Sequence, residues 1–167
     1  TTEELRGIEG EAAKLYFDGF DDLILQQRPD FAFAGRSRRP PLDPVNALLS
    51  FAYTLLARDC AAALEGVGLD PYVGFLHRAR PGRTSLALDL MEELRAVCAD
   101  RFVLTCINQK TVGPKHFIKQ ESGAVLLTDD GRRAFLQAWQ QRKHPTLQHP
   151  FLGEKLPWGL VPYGQAL

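Results

Sequence analysis

The sequence has few of the residues that mark disulfide scaffolds, metal clusters of cysteine or charged coats. Its three cysteines, Cys60, Cys98 and Cys106, form no C-x-x-C pair and stand among alanine, leucine, valine and isoleucine. We interpret them as small buried residues of a protein in a reducing, cytoplasmic compartment. Twenty basic and 20 acidic residues leave no net charge. This balance argues against a non-specific nucleic-acid coat, although it leaves local patches open.

The sequence also lacks internal repeats, low-complexity tracts and a charged segment followed by an apolar one, so no secretion signal is predicted. With 167 residues, of which 45% are hydrophobic and 24% charged, the chain fits one globular domain with a real core. The first residues are already in helical period, and the last ones begin a helix at Val161 and Pro162. We therefore expect a fragment, truncated at both ends.

Helical periodicity dominates the first half of the chain. Apolar residues at three- and four-residue steps predict a helix up to about Phe20. Asp43 as N-cap and Pro44 at the first helical position mark the clearest helix start. The following run over 45–57, VNALLSFAYTLLA, carries no charge and predicts a helix in the middle of the core. It is too short before Arg58 to span a bilayer.

The second half continues mainly as helix. Thr84 and Ser85 are cap residues for a helix over about 86–99, with Val97 among its inner residues, and Asp100 is expected to cap a further helical stretch. The segment 115–127 predicts a small hairpin, Thr128 caps a last amphipathic helix, and 144–158 reads as irregular. The expected fold is mainly α, a helical bundle-like domain with one small β-hairpin.

Four acidic or imidazole side chains could carry chemistry. Asp89 and Glu92 lie three apart on a predicted helix, so both project from one side and can converge on a cation. The alternative is a solvated helix face with Arg95 nearby. His77 precedes that helix by one short turn, and its alternative is a satisfied structural histidine. Glu9 is flanked by glycine and alanine in GIEGEAA, which suits either a ligand site or a tight helix crossing.

Two basic clusters stand out against the neutral total, and neither contains an acid. Such loops suit contact with phosphate, although solvated loops often look the same. The second cluster follows His77 directly, so phosphates and the candidate metal site would be neighbours. The clusters comprise Arg36, Arg38 and Arg39 in the first loop, and Arg78, Arg80 and Arg83 in the second.

Taken together, these segments resemble the CRISPR adaptation integrase, the subunit that inserts new spacers into the CRISPR array. The matching pieces appear in the family's order and cover nearly the whole chain. They are GIEGEAAKLYF, GRSRRPPLDPVNALLSFAYTLLA, GLDPYVGFLH, RPGRTSLALDLMEELR, FVLTCINQ and LLTDDGRRAFLQAW. The resemblance implies an amino-terminal β domain, absent from this chain, and the larger helical catalytic domain that is present.

The resemblance also implies a site. In this family one divalent metal is held by a Glu, a His and an acid, which fall on Glu9, His77 and Glu92. Asp89 matches a further acid beside the metal, and some relatives carry Asp where this chain has Glu92. Asn46 matches a recurring asparagine at the start of the buried helix, without an assigned role. Two carboxylates suit Mg²⁺ or Mn²⁺, and the imidazole favours Mn²⁺.

The implied reaction is phosphodiester transesterification, in which the 3′-hydroxyl of a captured DNA fragment attacks a phosphate at the end of a CRISPR repeat. Implied partners are double-stranded DNA, a second copy of the full-length protein and the small ferredoxin-like second adaptation protein. The form GRSRRPPLDPVNALLS is similar to variants that work beside, or fused to, an iron–sulfur nuclease of the fourth CRISPR-associated family. The alternatives are a non-catalytic helical DNA-binding or assembly module, and a metal nuclease without integration activity.

Overall fold

A computed structural model describes residues 2–77, 80–148 and 153–166. Helical residues, including those of short π and 3-10 turns, account for most of this part of the chain. The α-helices are α1 (Thr2–Asp18), α2 (Pro44–Gly66), α3 (Ser85–Leu94), α4 (Arg101–Asn108), α5 (Asp129–Arg142) and α6 (Val161–Ala166). The prediction of a mainly α fold is confirmed.

The start of α2 is the one that the sequence predicts. Asp43 caps it, since its side-chain Oδ1 accepts a hydrogen bond from the Asn46 backbone N–H at 2.8 Å. Pro44 is the first helical residue, where its missing N–H costs nothing. By length and composition α2 could also cross a membrane. However, Val45, Leu48 and Leu49 are fully buried inside the protein, as the prediction of a core helix requires.

The segment between α3 and α4 corrects two expectations. Asp100 does not cap a new helix; Arg95–Asp100 form a π-helical turn that joins α3 to α4 without a break. Asp100 is buried, and its Oδ1 accepts a hydrogen bond from the Tyr53 hydroxyl at 2.5 Å. Val97, expected on the inner side, is 54% exposed, because the wider π turn shifts each residue's angular position relative to an α-helix.

Two pairs of short antiparallel strands accompany the helices within the described residues. β1 (Phe117–Lys119) pairs antiparallel with β2 (Val125–Leu127), which confirms the predicted hairpin. β3 (Thr146–Gln148) pairs antiparallel with β4 (Lys155–Pro157), in the segment that was predicted to be irregular. That prediction was wrong because strands of three residues are too short to show the alternation that marks a strand in sequence.

The chain divides into two compact units, Thr1–Ser50 with Val103–Phe135, and Phe51–Phe102 with Leu136–Leu167. Packed phenylalanines dominate the core of the first, including Phe17, Phe20 and Phe33. In the core of the second unit, Trp139 packs edge-on against Phe102, with the ring centroids 5.1 Å apart. Burial of the cysteines is confirmed, and burial raises the pKa of the Cys60 thiol to about 12.

Candidate active site

The loop before α3 is bonded to the start of that helix. The Pro71 carbonyl accepts hydrogen bonds from the backbone N–H groups of Leu86 and Ala87, at 2.9 and 3.3 Å. These are first-turn donors that have no partner within a helix. Thr84 occupies the N-cap position as predicted, but its side chain makes no capping hydrogen bond. The capping role expected of Thr84 is therefore taken by a loop carbonyl.

Gly74 lets the same loop approach α3 closely. A Cβ atom added to Gly74 would lie 2.6 Å from the Cβ of Ser85 and 2.8 Å from its carbonyl carbon. Ser85 is fully buried, so it has little room to give way. Only glycine fits here, and the loop is pressed against the first turn of the helix.

The Asp89 carboxylate accepts hydrogen bonds from the end of the loop. Its Oδ2 accepts hydrogen bonds from the backbone N–H groups of Phe75 at 2.7 Å and Leu76 at 3.0 Å. Its Oδ1 accepts a third, from the backbone N–H of His77 at 3.0 Å. A carboxylate that accepts several backbone N–H groups holds them in one conformation. Asp89 therefore fixes the backbone of three successive residues.

Asp89 also orients the imidazole of His77. The His77 Nδ1 lies 2.6 Å from the Asp89 Oδ1. An ionised carboxylate only accepts hydrogen bonds, so in the neutral ring the proton is assigned to Nδ1 and the lone pair to Nε2. The His77 side chain is 26% exposed. Its Nε2 is thus the nitrogen available to a ligand, the arrangement that metal-binding histidines adopt with a supporting carboxylate.

The electrostatics of Asp89 agree with this arrangement. Burial raises the pKa of its carboxyl, but hydrogen bonds from the His77 ring and from the three backbone N–H groups outweigh burial, so the pKa lies below its ordinary value. Asp89 is therefore ionised at neutral pH and accepts from all four donors at once.

Glu92 lies on the next turn of α3 and is paired with Arg95, the first residue of the π-helical turn that follows. Its Oε2 is 2.6 Å from the Arg95 guanidinium, and both side chains are mostly buried. The Arg95 guanidinium also lies over the Tyr53 ring, 5.7 Å from its centroid. The alternative interpretation placed Glu92 on a solvated helix face near Arg95, and the contact with Arg95 is confirmed. The face is not fully solvated, however, since the Glu92 side chain is 26% exposed.

Glu9 is an exposed residue of α1 and belongs to the first unit, whereas His77, Asp89 and Glu92 belong to the second. An added Cβ at Gly7 or Gly10 would meet nothing within 4 Å, so the described residues form no tight crossing there. Across 2–77, 80–148 and 153–166, no three His, Cys, Asp or Glu side chains form a ready metal cluster. Convergence of Glu9 with His77 and Glu92 stays a prediction.

The first basic loop is held by Asn46, whose role the sequence left unassigned. Asn46 is fully buried. Its side-chain amide donates to the Gly35 carbonyl at 2.8 Å, and its Oδ1 accepts from the Ser37 backbone N–H at 3.0 Å. The same oxygen accepts from the Arg36 guanidinium, which also lies over the Phe17 ring, 5.7 Å from its centroid. Arg36 thus serves the structure of its own loop.

The remaining arginines of both clusters differ in exposure. Arg38, Arg39 and Arg80 are exposed, and Arg83 is half-buried. Arg78 lies outside the described residues. Phosphate contact by Arg38, Arg39, Arg80 and Arg83 stays a prediction, while for Arg36 the contact with Asn46 argues for a structural role. The sequence signal for the role of Asn46 was an amide side chain in the first turn of a helix whose first 14 residues carry no charge.

Comparison with known proteins places these residues in context. The family model "CRISPR associated protein Cas1" matches residues 1–141. The chain is 62% identical over 164 residues to "CRISPR-associated endonuclease Cas1 2" of Rhodospirillum rubrum, covering 98% of this chain and 48% of that relative. It is 45% identical over 159 residues to "CRISPR-associated exonuclease Cas4/endonuclease Cas1 fusion" of the same organism, covering 93% of this chain and 27% of the fusion.

Solved structures agree with the sequence relatives. "Casposase bound to integration product" matches with a TM-score of 0.86 and 30% identity, covering 98% of this chain and 45% of that one. "Partial Cas6-RT-Cas1--Cas2 complex" matches with a TM-score of 0.80 and 28% identity, covering 99% and 48%. The chain spans about half the length of the curated relatives that it matches first. It belongs to the CRISPR-associated Cas1 family.

Proposed function

We propose that this chain is the helical catalytic part of a metal-dependent DNA endonuclease and integrase of CRISPR adaptation. It joins the 3′-hydroxyl of a captured DNA fragment to a CRISPR repeat by phosphodiester transesterification. The observation that carries the proposal is the contact between His77 and Asp89, which leaves the imidazole Nε2 available to a ligand. The endonuclease names of the relatives and the fold shared with a casposase bound to integration product support it.

The proposed metal ligands are Glu9, His77 and Glu92. Their donor set, two carboxylates and one neutral imidazole, suits Mn²⁺ or Mg²⁺. The geometry at His77 fits such a group, because a supporting carboxylate fixes the ring and the tautomer. When bound, the cation would polarise the phosphate and stabilise the charge that develops on the attacking and leaving oxygens.

The chain's own residues bind and orient the substrate in this proposal. Asp89 holds His77 in one orientation and keeps the proton on Nδ1. Arg80 and Arg83 follow His77 in the same loop and are proposed to bind the DNA backbone near the reacting phosphate. The attacking group is the DNA 3′-hydroxyl, so the protein supplies no nucleophile.

The proposed partners follow from the relatives and structural neighbours. A matched structure contains Cas1 with Cas2, which supports a small second adaptation protein as partner. The fusion of Cas4 with Cas1 supports the iron–sulfur nuclease. Double-stranded DNA, a second copy of the full-length protein and a cytoplasmic location complete the proposal.

The experiment compares His77→Ala with His144→Ala, an exposed histidine of the second unit, in the full natural protein. We expect His77→Ala to abolish joining of a labelled DNA 3′ end to a repeat substrate, and to leave the melting temperature nearly unchanged. His144→Ala should behave as the parent protein in both measurements. Joining retained in His77→Ala would exclude ligation by this residue. Release of cut DNA without joining would indicate a nuclease instead.

Metal binding is measured on the same preparations by titration with Mn²⁺, followed by electron paramagnetic resonance. One tight site is expected in the parent protein, and its affinity should fall in Glu9→Gln, His77→Ala and Glu92→Gln alike, because all three are proposed ligands of one ion. A site unaffected by Glu9→Gln would remove this residue from the ligand set. No tight site at all would favour the non-catalytic module.

A further inference from the structure

Phe75 stands almost bare in solvent beside the candidate active site. Its side chain is 88% exposed, and it lies two residues before His77. Its neighbour Leu76 is 50% exposed. Single exposed apolar residues are common on protein surfaces, but a contiguous apolar segment at a site marks a surface that binds something.

The backbone beneath Phe75 is fixed. Its N–H donates to the Asp89 Oδ2 at 2.7 Å, and the next N–H donates to the same oxygen at 3.0 Å. The residue before it, Gly74, is pressed against the first turn of α3. The Phe75 ring therefore extends outward from a backbone that packs against α3 at Gly74 and is hydrogen-bonded to Asp89 at Phe75 and Leu76. Its exposure is a built feature of this loop.

The charges around Phe75 favour a nucleic acid as the occupant. The carboxylate below the loop, Asp89, is satisfied by four donors. Beyond His77 the chain continues with the basic side chains of Arg80 and Arg83. An occupant that meets an aromatic face and basic side chains at neighbouring positions has flat apolar groups on an anionic backbone. Nucleobases on a phosphate backbone have this chemistry.

The distance along the chain limits the choice to two nucleotides. Two residues of extended chain span at most about 7 Å, and phosphates along one DNA strand rise by about 3.4 Å each. The base of the nucleotide that carries the reacting phosphate, or of the next nucleotide, thus falls within reach of the Phe75 ring. A base inside a duplex is covered on both faces by its neighbours. Only an unpaired or terminal base has a face to offer.

We propose that Phe75 is a substrate-positioning residue that stacks on an unpaired DNA base next to the reacting phosphate. This proposal rests on the proposed function, since it requires DNA at His77. Stacking of a base on an aromatic side chain contributes affinity without sequence preference. The DNA end would then be held on one side by its phosphate and on the other by its base.

The test uses the full natural protein and DNA that carries the fluorescent base 2-aminopurine at an unpaired 3′ end, with a fully paired blunt DNA as comparison. The variants are Phe75→Ala, Phe75→Leu and Phe75→Trp. The matched control is Val73→Ala, which removes an exposed apolar side chain from the same loop. Affinity, fluorescence quenching, melting temperature, and the KM and kcat of strand joining are measured for each.

Phe75→Ala should bind the DNA with the unpaired end roughly 5- to 150-fold more weakly, the range for loss of one stacked base. Quenching of 2-aminopurine should disappear, and KM should rise with little change in kcat. Phe75→Trp should restore both signals, whereas Phe75→Leu should not, because it keeps apolar area but lacks an aromatic face. Blunt DNA and Val73→Ala should show little change, and all melting temperatures should agree.

Binding of the DNA with the unpaired end by Phe75→Ala as tightly as by the parent protein, with quenching intact, would overturn the stacking proposal and leave the proposed function standing. A change of oligomeric state in Phe75→Ala, with unaltered quenching, would assign Phe75 to a protein contact and also overturn it. If the parent protein quenches the probe but never joins DNA, the proposed function fails while the base contact stands.

Discussion

Two arginine-rich loops of this protein look alike in sequence, and hydrogen bonds with one polar side chain of the following helix hold each of them. The two side chains nevertheless have different consequences for the loop that they hold. Each precedes a helix, and each is held by a polar side chain near the start of that helix. Asn46 in α2 holds the first loop through Gly35 and Ser37. Asp89 in α3 holds the second through backbone N–H groups and the ring of His77.

The chemistry of the two anchors explains the difference. An amide both donates and accepts, so Asn46 closes a network of its own and takes up the guanidinium of Arg36. A carboxylate only accepts, so Asp89 binds several donors and leaves the Nε2 edge of the imidazole pointing away from itself. Asn46 binds the charged side chain of Arg36 within the loop, whereas Asp89 orients His77 as a candidate metal ligand. The comparison predicts that the first mainly affects stability and the second mainly affects activity.

The largest effect is expected for Asp89→Asn. The amide keeps one acceptor but presents N–H groups to donors, so the loop and the His77 ring lose their fixed orientation. Removal of such a supporting group costs roughly 10- to 100-fold in metal affinity or activity. Mn²⁺ titration and strand joining measure this effect, and Glu93→Gln, an exposed acid of the same helix, is the charge-matched control. Unchanged activity in Asp89→Asn would break the distinction between the two anchors.

Asn46→Ala should show the reverse pattern. It leaves the part-buried carbonyl of Gly35 and N–H of Ser37 without their partner, and each such group costs about 1–3 kcal/mol when buried. We expect the free energy of unfolding to fall by roughly 3 kcal/mol in denaturant titrations. Strand joining below the melting temperature should be nearly normal. Unaltered stability with weakened DNA binding would instead assign Asn46 to the DNA interface.

The parts of the fold that were predictable depend on local contacts. Asp43 and Pro44 lie at the start of the helix that they begin. The Thr128 hydroxyl oxygen accepts a hydrogen bond from the backbone N–H of Gly131, only three residues further along the chain. Asp100 was misassigned as a cap because its partner, the Tyr53 hydroxyl, lies 47 residues away. A buried acid and a capping acid look the same in sequence until their donors are known.

The sequence selected candidate site residues but did not reveal their arrangement. Residue type and spacing made His77, Asp89 and Glu92 candidates, and the family resemblance joined them into one site. The structure brings the first two into contact, and metal binding stays a prediction. The position of Asp89 below the loop depends on backbone N–H groups, which every residue type except proline carries and which sequence therefore does not reveal. The close approach at Gly74 is equally hidden, since glycine in a loop is compatible with many conformations.

The smallest expected effect is on the salt dependence of DNA affinity, and it distinguishes Arg36 from the other two arginines of the first loop. Each phosphate contact on duplex DNA changes the slope of log affinity against log salt by about 0.9. From the sequence, neutralising Arg36, Arg38 and Arg39 together should flatten this slope by up to about 3 units. Because Arg36 is engaged by Asn46 and lies over Phe17, the structure revises the expectation to about 2 units, both from Arg38 and Arg39.

The experiment measures DNA affinity at several salt concentrations, on two unrelated duplexes, for the full natural protein. Arg38→Ala with Arg39→Ala should flatten the slope by about 2 units on both sequences, with Mn²⁺ binding unchanged. Arg36→Ala alone should leave the slope as it is and lower the melting temperature, because it removes a partner of the buried Asn46. Arg132→Ala with Arg133→Ala is the charge-matched control, since both are exposed and pair with acids of their own helix. An unchanged slope in the first double variant would mean that Arg38 and Arg39 are solvated, and that the second loop alone carries the phosphate contacts proposed for this protein.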